Sequence, residues 1–212
     1  DSTIYAQYGS VIVASNTGYL AKVGFRFVGW NTEANGSGSD YLAGAVLTMG
    51  ASNVTLYAKY VVAPPAIVAV TANASDTLDG ADGQCSLREA ITNINNGASI
   101  YADCAPTGGV YGDNDTINIP AGTYNTTIAG TGEDANATGD YDILKFWFQN
   151  KSVAIVGAGA GSTTINGNGL DRVFDMDPLG AGGVVVSISG VTITGGGADY
   201  TNGGGIQNSG TL

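Results

Sequence analysis

Glycine interrupts the second half of the chain every few residues, and this pattern restricts the fold more than any other feature of the sequence. Short runs rich in β-branched residues follow one another after residue 114, and each ends at a turn. The runs cover residues 115–124, 153–157, 163–167, 184–188, 191–194 and 204–208. Such runs are short for a two-layer sandwich but suit parallel strands stacked in successive coils. The pattern therefore predicts a right-handed parallel β-helix over residues 115–212.

Composition further restricts the folds and the partners that are possible for this chain. The chain has 34 Gly and 5 Pro, which favours strands and tight turns over long helices. A net charge of −11 disfavours nucleic acid and anionic membranes as partners. Histidine is absent, which removes the commonest general base and the usual ligand of catalytic zinc. No apolar run reaches the roughly 18 residues that span a bilayer. We therefore expect a mainly all-β protein with no nucleic acid partner and no membrane span in this sequence.

A short helix is predicted just before the strand-rich region. Ser86 and Glu89 have the spacing of a capping box, in which each side chain binds a backbone N–H of the first turn. Apolar residues then follow at the spacing of one helical face, namely Leu87, Ala90, Ile91 and Ile94. The helix ends at Asn95-Asn96-Gly97, and we expect its apolar face to cap the first coil of the β-helix.

The two cysteines, Cys85 and Cys104, flank this helix. We predict that they form a disulfide, which contributes about 3 kcal/mol of stability for a loop of this length. Two cysteines alone do not identify an oxidising compartment, so a pair of buried free thiols is the alternative.

The first 60 residues contain an internal repeat. The segment 2–8 recurs almost unchanged at 54–60. Between the two copies, Gly24–Trp30 alternates as a half-buried strand does, and residues 31–40 form a polar turn. Phe27 and Trp30 are interpreted as core packing, with an aromatic ligand site as the alternative.

Residues 24–31, the Gly36-Ser37-Gly38 turn, residues 41–45 and residues 54–60 together resemble the Listeria–Bacteroides repeat, the B-repeat of internalin-type bacterial surface proteins. The resemblance implies a small β-grasp-like module over residues 1–60, found in tandem on extracellular proteins. Residues 2–8 would then be the tail of a preceding repeat. Residues 61–66 follow as a linker in which two prolines restrict the backbone.

Acidic turns lie on both sides of the predicted helix. Asp76, Asp79 and Asp82 recur at three-residue spacing among glycines, and Asp113 and Asp115 form a second group. Carboxylates in such turns offer the hard oxygen ligands that Ca²⁺ prefers, although Asp-Gly pairs are also ordinary turn formers. Ca²⁺ bound at these aspartates is therefore the cofactor that we expect.

The motif Cys85-Ser-Leu-Arg-Glu-Ala90 resembles the domain named after those six residues, which precedes right-handed β-helices in large bacterial surface proteins. The turn phrases at 119–124, 157–165 and 203–212 resemble those of pectin-lyase-like β-helices in bacterial adhesins. Together the resemblances cover residues 67–212 and imply a capping segment at 67–114 that leads into the β-helix. Within this segment Arg88 and Glu89 are interpreted as structural residues.

Two further segments offer candidate sites. The aromatic-rich segment 140–148 contains Tyr141 and Trp147, which are candidates for stacking on a glycan, with packing of a side loop as the alternative. Asp171, Asp175 and Asp177 are candidate catalytic carboxylates of a β-helical polysaccharide lyase or glycoside hydrolase. On a strand, Asp175 and Asp177 would share one face. Since only Arg172 supplies a basic group nearby, we predict no catalytic residue.

The sequence as a whole favours a secreted, non-catalytic cell-surface protein that acts in adhesion or as a structural stalk. Expected partners are a glycan or protein surface ligand, or copies of the chain itself. The glycine-rich pattern at 203–212 has no capping helix, which predicts further coils or stacking between subunits. A subunit of an extracellular filament or sheath and a β-helical polysaccharide-degrading enzyme are the alternatives.

Overall fold

The computed structural model describes residues 9–14, 22, 25–145, 150–197 and 203–212. The chain divides into two compact units, Asp1–Ala63 and Pro64–Leu212. Strands are the main secondary structure in the described parts of both units. The predicted repeat tail at residues 2–8 lies outside the described residues.

The first unit contains two small antiparallel sheets. Its strands are β1 (Ser10–Ile12), β2 (Phe25–Asn31), β3 (Asp40–Tyr41), β4 (Val46–Thr48) and β5 (Tyr57–Val62). Strand β1 pairs with β4, while β2 lies between β3 and β5. On β2, the Phe27 ring packs edge-on against Trp30 at 5.3 Å and against Tyr60 of β5 at 5.8 Å. The aromatic pair that the sequence singles out therefore packs within the module.

A buried asparagine holds the long polar turn that follows β2. The Asn31 side chain donates hydrogen bonds to the carbonyls of Gly36 and Gly38 and to the Asp40 carboxylate. It accepts hydrogen bonds from the N–H groups of Glu33 and Gly38. One amide thus pairs backbone groups that an irregular turn cannot pair with each other.

The second unit contains ten strands and one α-helix among its described residues. They are β6 (Ile67–Ala69), α1 (Leu87–Asn96), β7 (Asp115–Ile119), β8 (Gly122–Asn125), β9 (Tyr141–Ile143), β10 (Lys151–Gly157), β11 (Thr163–Asn166), β12 (Phe174–Met176), β13 (Val184–Ser189), β14 (Thr192–Thr194) and β15 (Ile206–Asn208). No helix in these described segments is long and apolar enough to cross a bilayer.

These strands form three parallel sheets with a regular order. The orders are β6-β7-β10-β13, β8-β11-β14 and β9-β12-β15. Three successive strand triplets, β7–β9, β10–β12 and β13–β15, each contribute one strand to every sheet. Each strand therefore pairs with its counterpart from the preceding or following triplet, and none of these pairs is a hairpin.

The core consists of apolar side chains stacked in register along each sheet. Ile155 of β10 lies between Ile117 of β7 and Ile188 of β13. The other two sheets carry corresponding rungs, Tyr124–Ile165–Ile193 and Tyr141–Phe174–Ile206. The β7–β12 members of these rungs belong to one buried hydrophobic cluster, and Ile188, Ile193 and Ile206 pack against it. Short strands are sufficient here because each needs only one or two inward side chains.

Helix α1 has the predicted caps. The Ser86 side chain accepts from the Glu89 N–H, and the Glu89 carboxylate accepts from the Ser86 N–H. At the other end Gly97 has a left-handed φ of 60°. The four apolar residues of the predicted face are buried in the core cluster. A disulfide joins Cys85, just before the helix, to Cys104.

Two boundaries differ from the sequence prediction. Val61 and Val62 belong to β5 and not to a linker, because they pair with Arg26 and Phe25 on β2. The predicted side loop at 140–148 contains strand β9, because residues 141–143 pair in parallel with β12. The sequence did not indicate this strand, because its central residue is an aspartate, a residue type that is uncommon in strands.

Candidate functional site

The register of the third sheet places two carboxylates side by side. Asp142 of β9 pairs directly with Asp175 of β12, and Gln207 of β15 occupies the next rung. Neighbouring strands lie about 4.8 Å apart, and like charges directly opposite each other destabilise a sheet. Two aspartates in these positions therefore need compensating positive charge or hydrogen-bond donors.

Asp140, just before β9, completes a group of three. The side chains of Asp140, Asp142 and Asp175 are at most 1% exposed. One potential ligand oxygen from each lies within 4.8 Å of the other two. Among the described residues, this is the one set of three acidic side chains close enough to hold a single metal ion. We call these three residues the acidic cluster.

Arg172, two residues before β12, is the cation that touches the cluster. Its Nε donates to Asp140 Oδ2 at 2.9 Å, and its Nη2 lies 2.8 Å from Asp175 Oδ2. Its Nη1 donates to the side-chain oxygen of Gln207 at 3.1 Å. One guanidinium thus serves two of the three carboxylates.

The connection between β8 and β9 covers the cluster. Within it, Asn136 has a left-handed φ of 59°, and its backbone N–H donates to Asp142 Oδ2 at 2.8 Å. The Asn136 side chain anchors this segment to α1 by donating to the Arg88 carbonyl at 2.8 Å. Near the end of the connection, the Gly139 N–H donates a hydrogen bond to the Ile128 carbonyl. This connection, the covering segment, shields Asp142 and Asp175 on the outer face of the third sheet from water.

Each carboxylate of the cluster keeps one oxygen without a partner. The Oδ2 atoms take the hydrogen bonds and ion pairs from Arg172 and Asn136. The Oδ1 atoms of all three aspartates are buried and have no hydrogen-bond partner among the described residues. Burying a charged oxygen without a hydrogen-bond partner lowers the free energy of unfolding, because the oxygen loses its contacts with water and gains none in return. Three such oxygens in one place are a feature that folding alone does not explain.

The ionisation of the cluster reflects this shortage of positive charge. Burial raises the pKa of Asp140 to about 6, although Arg172 donates to it. Burial and then the neighbouring Asp140 charge raise the pKa of Asp142 to about 8. Burial also raises the pKa of Asp175 against the effect of Arg172. Without a further cation, the three carboxyl groups are not all ionised at neutral pH.

The structure separates the aspartates of the first predicted calcium group. Asp76 is buried and forms an ion pair with Arg88 at 2.6 Å, while its other oxygen accepts from the Thr127 N–H. Asp79 and Asp82 are exposed and accept from backbone N–H groups within their own turn. Calcium binding by these three residues stays a prediction.

The second predicted group also carries structural hydrogen bonds. Asp115 is buried, accepts from the N–H groups of Ala66 and Gly112 at 2.9 Å each, and lies 3.8 Å from Lys151 Nζ. Asp113 is exposed and accepts from the Ser152 N–H at 2.7 Å. Calcium binding by Asp113 and Asp115 likewise stays a prediction.

Tyr141 is not placed for the predicted glycan contact. It is 1% exposed, and its ring packs on Phe174 at 5.5 Å and under the Arg88 guanidinium at 4.8 Å. The prediction for Tyr141 is therefore wrong, because strand β9 turns this ring into the core. Trp147 lies outside the described residues.

The candidate catalytic carboxylates are occupied by backbone and ion-pair contacts. Asp171 accepts from the N–H groups of Arg172 and Gly132. Strand β12 ends at Met176, and Asp177 has a left-handed φ of 57°. Asp177 then accepts from the Ala181 and Gly182 N–H groups of the following turn. The predicted strand alternation from Asp175 to Asp177 is therefore wrong.

Sequence reasoning did not single out Asp140 and Asp142 as a site. A signal was present, since Tyr141-Asp142-Ile143 recurs as Phe174-Asp175-Met176 with the same order of aromatic, acidic and aliphatic residues. When such a recurrence falls on paired parallel strands of successive triplets, residues of the same kind lie side by side.

Comparison with known proteins gives two similar proteins and one family match. Two proteins of Evansella cellulosilytica are similar over 53 residues, or 25% of this chain: a predicted membrane protein at 38% identity and a predicted Gly-rich membrane protein at 43%. The similar regions make up 8% and 6% of those proteins, so the chain matches less than a tenth of their length. No solved structure matches the chain. Residues 2–59 match the family model of the Listeria-Bacteroides repeat domain, which confirms the repeat predicted for this part of the sequence.

Proposed function

We propose that this chain is a non-catalytic part of an extracellular cell-surface protein, in which a β-grasp-like Listeria–Bacteroides repeat is joined to a right-handed β-helix that serves in adhesion or as a stalk. The observation that carries the proposal is the strand order of the second unit. Every strand triplet contributes one strand to each of three parallel sheets. Stacked triplets build a long, stiff element from short strands, which is what a stalk or an extended binding surface requires.

Two physical arguments support a right-handed β-helix. Connections between parallel strands of one sheet are right-handed in the great majority of proteins. The apolar rungs of all three sheets share one interior, and α1 packs its buried face onto that same cluster. A helix in this position keeps the apolar cross-section of the first triplet away from water.

Surface association rests on the repeat and on its relatives. The Listeria–Bacteroides repeat is typical of surface proteins, and both similar Evansella proteins are predicted membrane proteins. The Cys85–Cys104 disulfide suits an oxidising compartment outside the cytoplasm.

Surface exposure has a direct test. Intact cells that produce the protein are treated with a non-penetrating protease and then probed with antibodies against residues 1–212. We expect the antibody signal to disappear while a cytoplasmic control protein stays intact. Signal that persists on intact cells and disappears only after lysis contradicts the proposed location.

Adhesion is tested with the purified chain. We expect saturable binding to one class of immobilised glycan or surface protein. We expect no release of unsaturated sugars from polygalacturonate, as followed by ultraviolet absorbance. Turnover of that polysaccharide, abolished by Asp175→Asn, would favour the enzyme alternative. Soluble chain that binds no surface ligand leaves the stalk as the function.

A filament subunit is the second candidate, since β14 and β15 are the outermost strands of their sheets among the described residues, while β13 carries one further bridge, from Val185 to Thr211. Unpaired edge strands can pair with another copy of the chain. Sedimentation and negative-stain imaging separate the alternatives, because ordered fibres support the filament and a monomer at all concentrations supports the stalk.

A further inference from the structure

We propose that Asp140, Asp142 and Asp175 form a binding site for one divalent cation, with Ca²⁺ as the ion that the site fits. This site is distinct from the calcium groups that the sequence suggests, and it does not depend on the proposed role at the cell surface. It is carried by the unpartnered oxygens of the cluster, by its charge and by its spacing.

The unpartnered oxygens of the cluster have the chemistry of cation ligands. All three unpartnered Oδ1 atoms are carboxylate oxygens, which are the ligands that hard cations prefer. The partner oxygen of each carboxylate is held by Arg172 or by the Asn136 N–H. Such contacts from outside the site orient ligands before the ion arrives. The side-chain carbonyl oxygen of Asn136, whose backbone N–H binds Asp142, is also buried without a partner among the described residues.

The charge points the same way. Three buried carboxylates lie around one guanidinium, which leaves two negative charges uncompensated when all three are ionised. Buried charges persist in proteins when they are paired or when they coordinate a metal. A divalent cation supplies the missing two charges.

The spacing suits Ca²⁺. Ligand oxygens on opposite sides of a Ca²⁺ ion lie roughly 4.8 Å apart when each bond is about 2.4 Å. One potential ligand oxygen from each of the three aspartates lies within 4.8 Å of the other two, which is within the separation of oxygens around one such ion. Mg²⁺ usually retains several waters, whereas Ca²⁺ accepts irregular sets of protein oxygens. In a site whose side chains are at most 1% exposed, we therefore expect a preference for Ca²⁺.

The covering segment lies between the acidic cluster and solvent. Residues 129–138 are exposed at most positions, in contrast to the cluster beneath them. The connection contributes no strand to the three parallel sheets, so an opening of this segment would leave their pairing intact.

The experiment uses the whole 212-residue chain, first treated with EDTA and then dialysed into metal-free buffer. Isothermal titration calorimetry with CaCl₂ should show one site. At a Ca²⁺ concentration about 100 times the dissociation constant, the melting temperature of the second unit should rise by about 5–10 °C, and EDTA should reverse the rise. MgCl₂ at the same concentration should give a smaller shift.

Asp142→Asn is the decisive variant. It keeps an oxygen that can accept from the Asn136 N–H but removes one negative charge from the crowded cluster. The metal-free variant should therefore melt at or above the temperature of the metal-free wild type, while its response to CaCl₂ is lost. Asp79→Asn and Asp82→Asn are matched controls, since both residues are exposed turn aspartates, and they should respond to CaCl₂ as the wild type does.

Two results would overturn the proposal. One is the absence of both heat and a melting shift in millimolar CaCl₂ for wild-type protein. The other is binding that survives in Asp142→Asn and disappears in Asp79→Asn or Asp82→Asn. If Asp142→Asn does not fold, as judged by circular dichroism, Asp175→Asn provides the same comparison, and one calcium per wild-type chain before EDTA treatment, measured by elemental analysis, supports the site.

Discussion

At the scale of single residues, Arg88 has the most consequential position in the second unit. It is fully buried and forms an ion pair with Asp76 at 2.6 Å. Its guanidinium also donates to the carbonyls of Gly139 and Asp140 at 2.8 Å each. One side chain of the Cys-Ser-Leu-Arg-Glu-Ala motif thus joins α1 to the acidic turn before it and to the segment that leads into β9.

Replacing Arg88 by methionine should destabilise the second unit strongly. Arg88→Met keeps most of the apolar stem but leaves the buried Asp76 carboxylate without its ion-pair partner. Breaking a buried pair in this way costs about 3–5 kcal/mol, which urea denaturation would measure.

Lys59→Met is the control for that substitution, because Lys59 pairs with an exposed aspartate, Asp40, in the first unit. Exposed pairs contribute little, so this variant should unfold as the wild type does. An Arg88→Met loss that is no larger than the Lys59→Met loss would contradict the structural role of Arg88.

At the scale of elements, the turns between strands are as specific as the strands themselves. Gly157 ends β10, and Gly190 follows β13 in the next triplet. A Cβ atom on Gly190 would collide with the Gly157 carbonyl oxygen, and a Cβ on Gly157 would collide with the Gly190 carbonyl oxygen. Gly190 also has a left-handed φ of 66°. Stacked turns approach each other so closely here that only glycine fits.

Gly190→Ala should therefore destabilise the second unit by about 1–3 kcal/mol from backbone strain, with the collision adding to it. Gly161→Ala is the matched control, since nothing lies within 4 Å of a Cβ built on Gly161. The two variants are compared by thermal melting. Equal melting temperatures for both would show that the neighbouring turns can separate without cost.

At the scale of the whole molecule, the disulfide belongs to one of the two units. Cys85 and Cys104 both lie in the core cluster of the second unit, whose members among the described residues all follow Ala63. Stability of the two units should therefore respond separately to reduction. The chain has 2 Trp, of which Trp30 lies in β2 of the first unit.

Cys85→Ala with Cys104→Ala should lower the stability of the second unit by about 3 kcal/mol, because the unfolded chain regains the freedom that the loop removed. A background of Trp147→Phe leaves Trp30 fluorescence as a report on the first unit alone, while circular dichroism follows both units. The Trp30 transition should stay where it is. A Trp30 transition that moves together with the loss of the disulfide would show that the units unfold as one.

Local features of the fold were predictable from the sequence because neighbouring residues determine them. The Ser86 and Glu89 capping box requires only a three-residue spacing, and α1 begins where that spacing places it. Runs of β-branched residues between glycines become strands at nearly the predicted positions. The repeat in the first unit was also identifiable, since its motif segments follow one another within residues 24–60.

Only the tertiary structure decided which distant residues meet. Asp142 and Asp175 become neighbours because the connections between triplets set the register of β9 and β12, and no local rule gives the length of a connection. For the same reason, Arg88 donates a hydrogen bond to the Asp140 carbonyl, which is 52 residues away in the sequence. The acidic turns that composition suggested are occupied by hydrogen bonds, whereas the cluster with unpartnered oxygens forms where parallel strands stack one aspartate on another. Charge and residue type are properties of the sequence, but the burial and proximity that make a cation site arise only when the sheets assemble.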